Sequence, residues 1–288
     1  MQSPTMPPPE TSSHTPRRPR ALVLRTSGTN CEIETARALD LGGAQTDVLH
    51  FNRVIENPEL LDPYGIWVFA GGFSYGDDLA AGRVWGMELR TRLHEQLRAH
   101  VERGGLALGV CNGFQVLVES GIFEPDEPAG ERSVALYSNA SNHYECRWVE
   151  LESADCCCPW LEAGERMPVP VAHAEGRFVV RDDAVMQRLI AGRQVALRYV
   201  RPGWVDSPDG GDESVPYPYN PNGAAGDVAG ICDPSGRVLG LMPHPERNLD
   251  PWNHPHWTRH GAGMGPREVG EGLAFYRRMV EVAESALV

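Results

Sequence analysis

Leu106-Ala107-Leu108-Gly109-Val110-Cys111-Asn112-Gly113-Phe114-Gln115 decides the fold. Its first half is an apolar run of strand length, the pattern of a parallel strand covered on both faces. Gly-x-Cys-x-Gly follows, and residues 114–119 continue at helical spacing. A strand turning sharply into a helix with a nucleophile at the apex is the nucleophile elbow, here with cysteine in place of serine. The two glycines permit the tight reversal that thrusts the Cys111 side chain above the sheet edge. The following helix points its N-terminus at the sulfur, which favours negative charge there.

The same alternation runs on either side of the elbow. Residues 21–24, 46–51 and 65–70 read as strands, and 32–41 and 84–101 as helices. Strands alternating with helices of this length are βαβ units around a parallel sheet. The second half changes texture. Strands are expected at 133–136, 144–150, 177–180 and 194–200, with a helix over 182–191. Residues 228–232 and 238–242 flank Asp233-Pro234-Ser235-Gly236, which reads as a hairpin turn. Residues 206–222 form a Pro/Gly/Asp-rich loop, and an amphipathic helix over 270–286 closes the chain. The expected fold class is α/β, a mostly parallel central sheet with additional antiparallel strands, in one domain over 20–288. Residues 1–19, rich in Pro, Ser and Thr, read as a disordered tail with almost nothing to bury.

Composition excludes several functions. The 288 residues carry 26 Lys+Arg against 39 Asp+Glu, a formal charge of −13, and every basic residue is arginine. Without lysine there is neither Schiff-base chemistry nor a Walker A loop. The acidic balance argues against nucleic acid as a partner. No run approaches the ~18–20 apolar residues of a membrane span, and the first 19 residues hold no apolar stretch for a secretory signal. Seven cysteines, odd in number and scattered, do not resemble a disulfide framework, so a reducing cytoplasm is the expected location.

A cysteine nucleophile needs a base, and the base needs an orienting acceptor. In Met242-Pro243-His244-Pro245-Glu246 an apolar strand ends in a His and a Glu two residues apart, which face the same side of an extended chain. His173-Ala174-Glu175-Gly176 offers the same spacing. It follows Pro168-Val169-Pro170-Val171, a poor strand for a sheet interior, so chain physics favours His244 while leaving His173 in competition. For an oxyanion, Gly71-Gly72 at the end of an apolar strand lets backbone N–H groups approach a substrate, together with the N–H of Asn112.

Six motifs occur in order: Gly71-Gly72-Phe73-Ser74-Tyr75-Gly76-Asp77, Gly109-Val110-Cys111-Asn112-Gly113-Phe114-Gln115, Cys146-Arg147-Trp148-Val149, His173-Ala174-Glu175-Gly176-Arg177, Asn220-Pro221-Asn222-Gly223 and Met242-Pro243-His244-Pro245-Glu246-Arg247. Over roughly residues 21–247 the chain resembles the glutamine amidotransferase subunits of phosphoribosylformylglycinamidine synthase, class I glutamine amidotransferases of purine biosynthesis. The resemblance implies a flavodoxin-like three-layer fold. It implies that Cys111 attacks the side-chain amide of glutamine to give a glutamyl thioester, with His244 moving the proton and Glu246 orienting it. Gly71, Gly72, Phe73, Asn112 and Gln115 would serve the oxyanion and the substrate. No metal or cofactor is implied in this chain. ATP and Mg²⁺ would belong to a separate synthetase subunit that receives the ammonia and converts formylglycinamide ribonucleotide to the amidine, with a small third subunit bridging the two. The triad matches the later His motif, which leaves His173-Ala174-Glu175-Gly176 structural or part of a subunit contact. Ala70 and Ala174 depart from the proline and glycine of many relatives.

Two clusters fall outside the motifs. Cys156-Cys157-Cys158 lacks Cys-x₂-Cys spacing, and adjacent side chains diverge, so it reads as incidental rather than as a metal site. Trp252, His254, His256, Trp257 and His260 read as a surface connector that packs its tryptophans. Because this segment follows Glu246 directly, it is expected beside the triad, as a lid or docking surface.

Overall fold

The computed structural model describes residues 18–125, 127, 131–202, 214–258 and 267–286. The expected tail lies outside the described residues up to position 17, as do His260 and residues 206–213 of the expected loop. Arg18 already belongs to the body, its guanidinium donating to the carbonyls of Gly43 (2.8 Å) and Ala44 (2.7 Å).

The first half alternates as its sequence pattern requires. Strands β1 (Arg20–Arg25), β2 (Gln45–His50), β3 (Ile66–Phe69) and β4 (Leu106–Val110) are interleaved with helices. These are α1 (Glu32–Gly42), α2 (Phe51–Glu56), α3 (Arg83–Arg92) and α4 (His94–Glu102), and α5 (Asn112–Ser120) follows β4. The second half adds β5 (Val134–Ser138), β6 (Glu145–Ser153), β7 (Arg166–His173), β8 (Glu175–Val180), α6 (Asp183–Ala191), β9 (Val195–Val200), β10 (Val228–Cys232), β11 (Val238–Leu241) and α7 (Glu271–Ser285). No described helix is long and apolar enough to cross a membrane.

Among the described residues nine strands form one sheet in the order β2-β1-β3-β4-β11-β10-β9-β6-β7, while β5 and β8 pair separately. From β2 to β11 the pairings are parallel. From β11 to β7 they are antiparallel. The hairpin β10–β11, which its turn sequence predicts, is therefore where the sheet changes from parallel to antiparallel pairing. β3, β4, β10 and β11 are buried at every position, the reason they read as unbroken apolar runs. Because the chain leaves β1 toward β2 on one side and returns to β3 on the other, the strand order reverses there. Loops at the carboxyl ends of strands beside such a switch open into a crevice, the usual ligand site of open α/β sheets.

Three elements differ from expectation. The single helix expected over 84–101 is two, because Leu93 leaves helical geometry (φ −135°, ψ 15°) and buries its side chain. No Pro or Gly marks the break. α2 was not expected; its start is capped by the His50 ring, which accepts from the Asn52 N–H, an unusual cap residue. The proline-interrupted run does form a strand, β7, but at the sheet edge, where missing donors do no harm. Pro168 and Pro170 are two apart, so both lacking N–H groups fall on the side of β7 away from β6.

Packing at the centre depends on glycine. A Cβ on Gly240 of β11 would overlap the Phe114 ring of α5, whereas one on Gly65 meets nothing within 4 Å among the described residues. Gly240→Ala is expected to destabilise the protein by about 1–3 kcal/mol, and Gly65→Ala to stay within about 0.5 kcal/mol. Chemical unfolding of both variants checks this; equal effects would contradict the packing described.

Candidate active site

Cys111 occupies the turn between β4 and α5 with φ +53° and ψ −108°, a conformation that costs a non-glycine residue about 1–3 kcal/mol. The turn is held from three sides. The Cys111 N–H donates to the Leu241 carbonyl of β11 (2.8 Å). A Cβ on Gly113 would overlap the Phe69 carbonyl, and one on Gly109 would stand 2.5 Å from the Gly113 carbonyl. Both glycines of the motif are thus required by close backbone approach, as the sequence implied. Asn112 opens α5, and helix geometry leaves its N–H without an intrahelical partner.

His244 and Glu246 follow β11, two strand-ends away from β3 and next to β4. His244 Nδ1 lies 2.6 Å from Glu246 Oε1, and both side chains are buried. Burial alone would depress the imidazole, but the Glu246 carboxylate and then the Cys111 sulfur outweigh it and raise its pKa well above the ordinary value. Fixing Nδ1 on the carboxylate leaves Nε2, buried and with no hydrogen bond of good geometry among the described residues, to face the Cys111 and Cys31 sulfurs as the nitrogen able to exchange a proton with sulfur. Tyr276 of α7 is buried against this pair; burial, and then the Glu246 charge, push its hydroxyl well up.

The edge strand β7 completes the site. Its carbonyls at alternate positions 168, 170 and 172 point away from β6. Pro168 O accepts from Asn248 Nδ2 (2.7 Å), Pro170 O from the His244 N–H (2.9 Å), and Ala172 O lies 3.9 Å from Cys111 Sγ. The sheet therefore curls back so that its last strand meets the loops that end β4 and β11.

The sequence reading missed Cys31. It follows the turn after β1, and its sulfur, an imidazole nitrogen of His244 and a carboxylate oxygen of Glu246 lie within 4.8 Å of one another. Its thiol donates to Asn30 Oδ1 (3.2 Å) and accepts from Arg247 Nη2 (3.0 Å). Burial raises its pKa. One S, one N and one O donor converge here, but Glu246 is already engaged with Nδ1, and the thiol is satisfied as a neutral group. The signal that finds Cys31 is positional: it stands at the carboxyl end of the strand beside the switch point.

Gly71 and Gly72 adjoin both cysteine loops. A Cβ on Gly71 would lie 3.0 Å from the His244 ring and 3.2 Å from the Cys31 sulfur, and one on Gly72 (φ +142°) 2.6 Å from the Asn30 N. Phe73 donates its N–H to the Gly28 carbonyl (2.9 Å), so that group is engaged, and its ring is exposed. The Asn112 side chain accepts from the Ser74 N–H (3.2 Å) and donates to Gln115 Oε1 (3.0 Å); Gln115 Nε2 donates to the Glu175 carbonyl (2.7 Å). Both polar ends of Gln115 are thus bound to protein. Asp77, in the same loop, is pushed up to about 6 by burial and by the Glu175 charge.

His173 is buried with Nδ1 3.0 Å from Asn139 Oδ1, and burial, then the charge of His244, lowers it to about 3. Asn222 Nδ2 donates to the Gly176 carbonyl (2.8 Å), so the fourth and fifth motifs hold one another beneath the site. The cluster after Glu246 is corrected in one respect. Trp252 and Trp257 are exposed rather than packed; it is His254 that is buried, edge-on to Trp148 of the third motif at 4.8 Å. Asp250 ties the segment to α1 through Arg37 (2.9 Å).

A glutamine amidotransferase domain of the CobB/CobQ-like type matches residues 18–281. The phosphoribosylformylglycinamidine synthase subunit PurQ of Methanococcus maripaludis is 42% identical over 270 residues, 91% of this chain and 98% of that one. Its namesake from Dehalococcoides mccartyi is 39% identical, covering 92% and 97%. The chain belongs to the PurQ family of glutamine amidotransferases. Among solved structures, a chain of PurLQS from Thermotoga maritima superposes with a TM-score of 0.65 at 29% identity, covering 92% of this chain and 99% of that one. A putative GMP synthase component from Thermoplasma acidophilum shares the fold, with a TM-score of 0.54 at 12% identity, covering 93% of this chain and 96% of that one.

The buried pair sets a pH-dependent stability. His244 has a folded pKa raised above the unfolded value near 6.5. Its stabilisation is therefore full below about 6.5 and is lost as pH rises through the folded pKa. Glu246→Gln should cost about 3–5 kcal/mol at pH 6, and the gap to the parent should narrow at pH 9. Chemical denaturation at both pH values checks this; a pH-independent gap would contradict it.

Proposed function

We propose that this chain is the glutaminase subunit of a phosphoribosylformylglycinamidine synthase, with Cys111, His244 and Glu246 as its catalytic triad. The observation that carries the reading is the convergence of a strained nucleophile elbow with a buried His–Glu pair at the carboxyl ends of neighbouring strands.

Cys111 sulfur attacks the side-chain amide carbon of glutamine, and negative charge moves onto the amide oxygen. The N–H groups of Asn112 and Gly72 receive that charge, each such donor being worth about 10²–10³ in rate. His244 holds the thiol proton, as its raised pKa favours, and delivers it to the departing nitrogen. Ammonia leaves, and Cys111 carries a glutamyl thioester. Water then attacks with His244 as base, releasing glutamate and restoring the thiol. Glu246 keeps the imidazole in the orientation that both steps require. Phe73 and Gln115 flank the substrate, Gln115 by shaping the wall through its bond to Glu175.

The ammonia passes to a synthetase subunit, which uses ATP and Mg²⁺ to convert formylglycinamide ribonucleotide to the amidine, with a small subunit bridging the two. This chain supplies no cofactor of its own. Residues 20–288 act as one amidotransferase unit, in a reducing cytoplasm.

Glutamine hydrolysis measured alone and with the synthetase and small subunits, ATP and ribonucleotide tests the reading. The isolated chain should be slow and accelerate in the complex. Cys111→Ala should lose at least about 10³-fold in kcat, while ammonia-driven synthesis by the complex persists. Undiminished hydrolysis by Cys111→Ala would refute the assignment.

A further inference from the structure

The cysteine triple that the sequence leaves without a role meets a fourth cysteine at the end of the sheet remote from Cys111. Cys232 ends β10 beside the start of β11, and its sulfur lies 3.5 Å from that of Cys157. The Cys156 thiol also reaches Cys232. Cys157 is half-buried, whereas Cys156 and Cys232 are buried. Backbone contacts fix the pair. Cys157 N–H donates to the Arg193 carbonyl (2.9 Å) and Cys232 N–H to the neighbouring Gln194 carbonyl (2.8 Å). The hairpin turn closes over them, Gly236 (φ +73°) lying so near the Cys157 carbonyl that a Cβ there would overlap it. Two sulfurs 3.5 Å apart on braced backbone have about 1.5 Å to close to reach a bond of about 2.05 Å.

We propose that Cys157 and Cys232 form an oxidation site that closes to a disulfide under hydroperoxide, separate from the glutaminase centre. The half-exposed Cys157 sulfur attacks a peroxide oxygen; the O–O bond breaks, one water leaves, and Cys157 becomes a sulfenic acid. The Cys232 sulfur then attacks the Cys157 sulfur, the S–O bond breaks, and a second water leaves. Two thiols lose two electrons and the peroxide gains them, with both thiol protons ending in water. Burial raises the Cys157 thiol, so the site answers to excess peroxide rather than to traces. Cys156 is the competing partner; its hydrogen bond with Cys232 lowers its pKa, but its sulfur is shielded.

The test uses the full-length Cys111→Ala chain, which removes the nucleophile's own oxidation. It is treated with hydrogen peroxide, alkylated and digested with trypsin without reduction. Because the chain has no lysine, cleavage isolates peptides 148–166 and 199–237. The expected result is a covalent joining of these two peptides, with loss of two alkylatable thiols, reversed by dithiothreitol. The joined species should persist in Cys156→Ser and vanish in Cys157→Ser. The reduced Cys157→Ser chain should unfold at the same temperature as its parent. The oxidised parent should unfold several degrees higher, because the bridge closes a long loop. A bridge to Cys156, a sulfinic acid on Cys157 without a bridge, or free thiols at both positions would overturn the proposal.

Discussion

Gly113 lies against the Phe69 carbonyl with no room for a side chain, and the rest of the site depends on that approach. It allows α5 to start immediately beyond β4, forces Cys111 into a positive-φ backbone, and so lifts one sulfur out of the sheet at a fixed height. The strain, about 1–3 kcal/mol, is held by contacts that need no catalytic group: the Leu241 carbonyl and the packing of α5 on β3 and β11. A sulfur placed this way is aimed before any substrate arrives, and in the proposed reaction that spares reorganisation.

The second constraint is the free edge of β7. Edge strands usually present unpaired carbonyls to solvent. Here two of them hold the loop that carries the histidine, through the His244 N–H and the Asn248 side chain. The prolines of β7 lack the donors that would invite another strand, while their carbonyls remain free to accept. The proline run that leads into the competing His173 motif thus forms the bed on which the His244 loop rests. His173, buried and neutral, serves the same framework through Asn139.

What was legible in the sequence was what is local. The elbow is written within ten residues and the hairpin turn within four, so spacing alone points to them; the His–Glu pair is written within three, but His173 and Glu175 share its spacing, and only the family resemblance chose between them. Cys31 was not legible, because the groups that meet its sulfur, His244, Glu246 and Arg247, stand at the other end of the chain, Arg247 at a separation of 216 residues. The break at Leu93 carries no Pro or Gly and follows from the burial of one side chain. The pairing of Cys157 with Cys232 joins positions far apart in the chain. Reading the triple as incidental was sound for adjacent side chains considered alone, but the hairpin brings the fourth thiol. The exposed Trp252 and Trp257 were misjudged because hydrophobicity says which residues favour burial, and only the tertiary path says which achieve it.

The proposed reaction passes through a covalent intermediate at one sulfur. Acid quenching of the complex during turnover with isotopically labelled glutamine, followed by peptide mass analysis, reads that directly. A glutamyl adduct on the peptide carrying Cys111, and not on that carrying Cys31, is the predicted result. Label on Cys31, or sustained hydrolysis with no adduct on Cys111 under conditions that preserve thioesters, would contradict it.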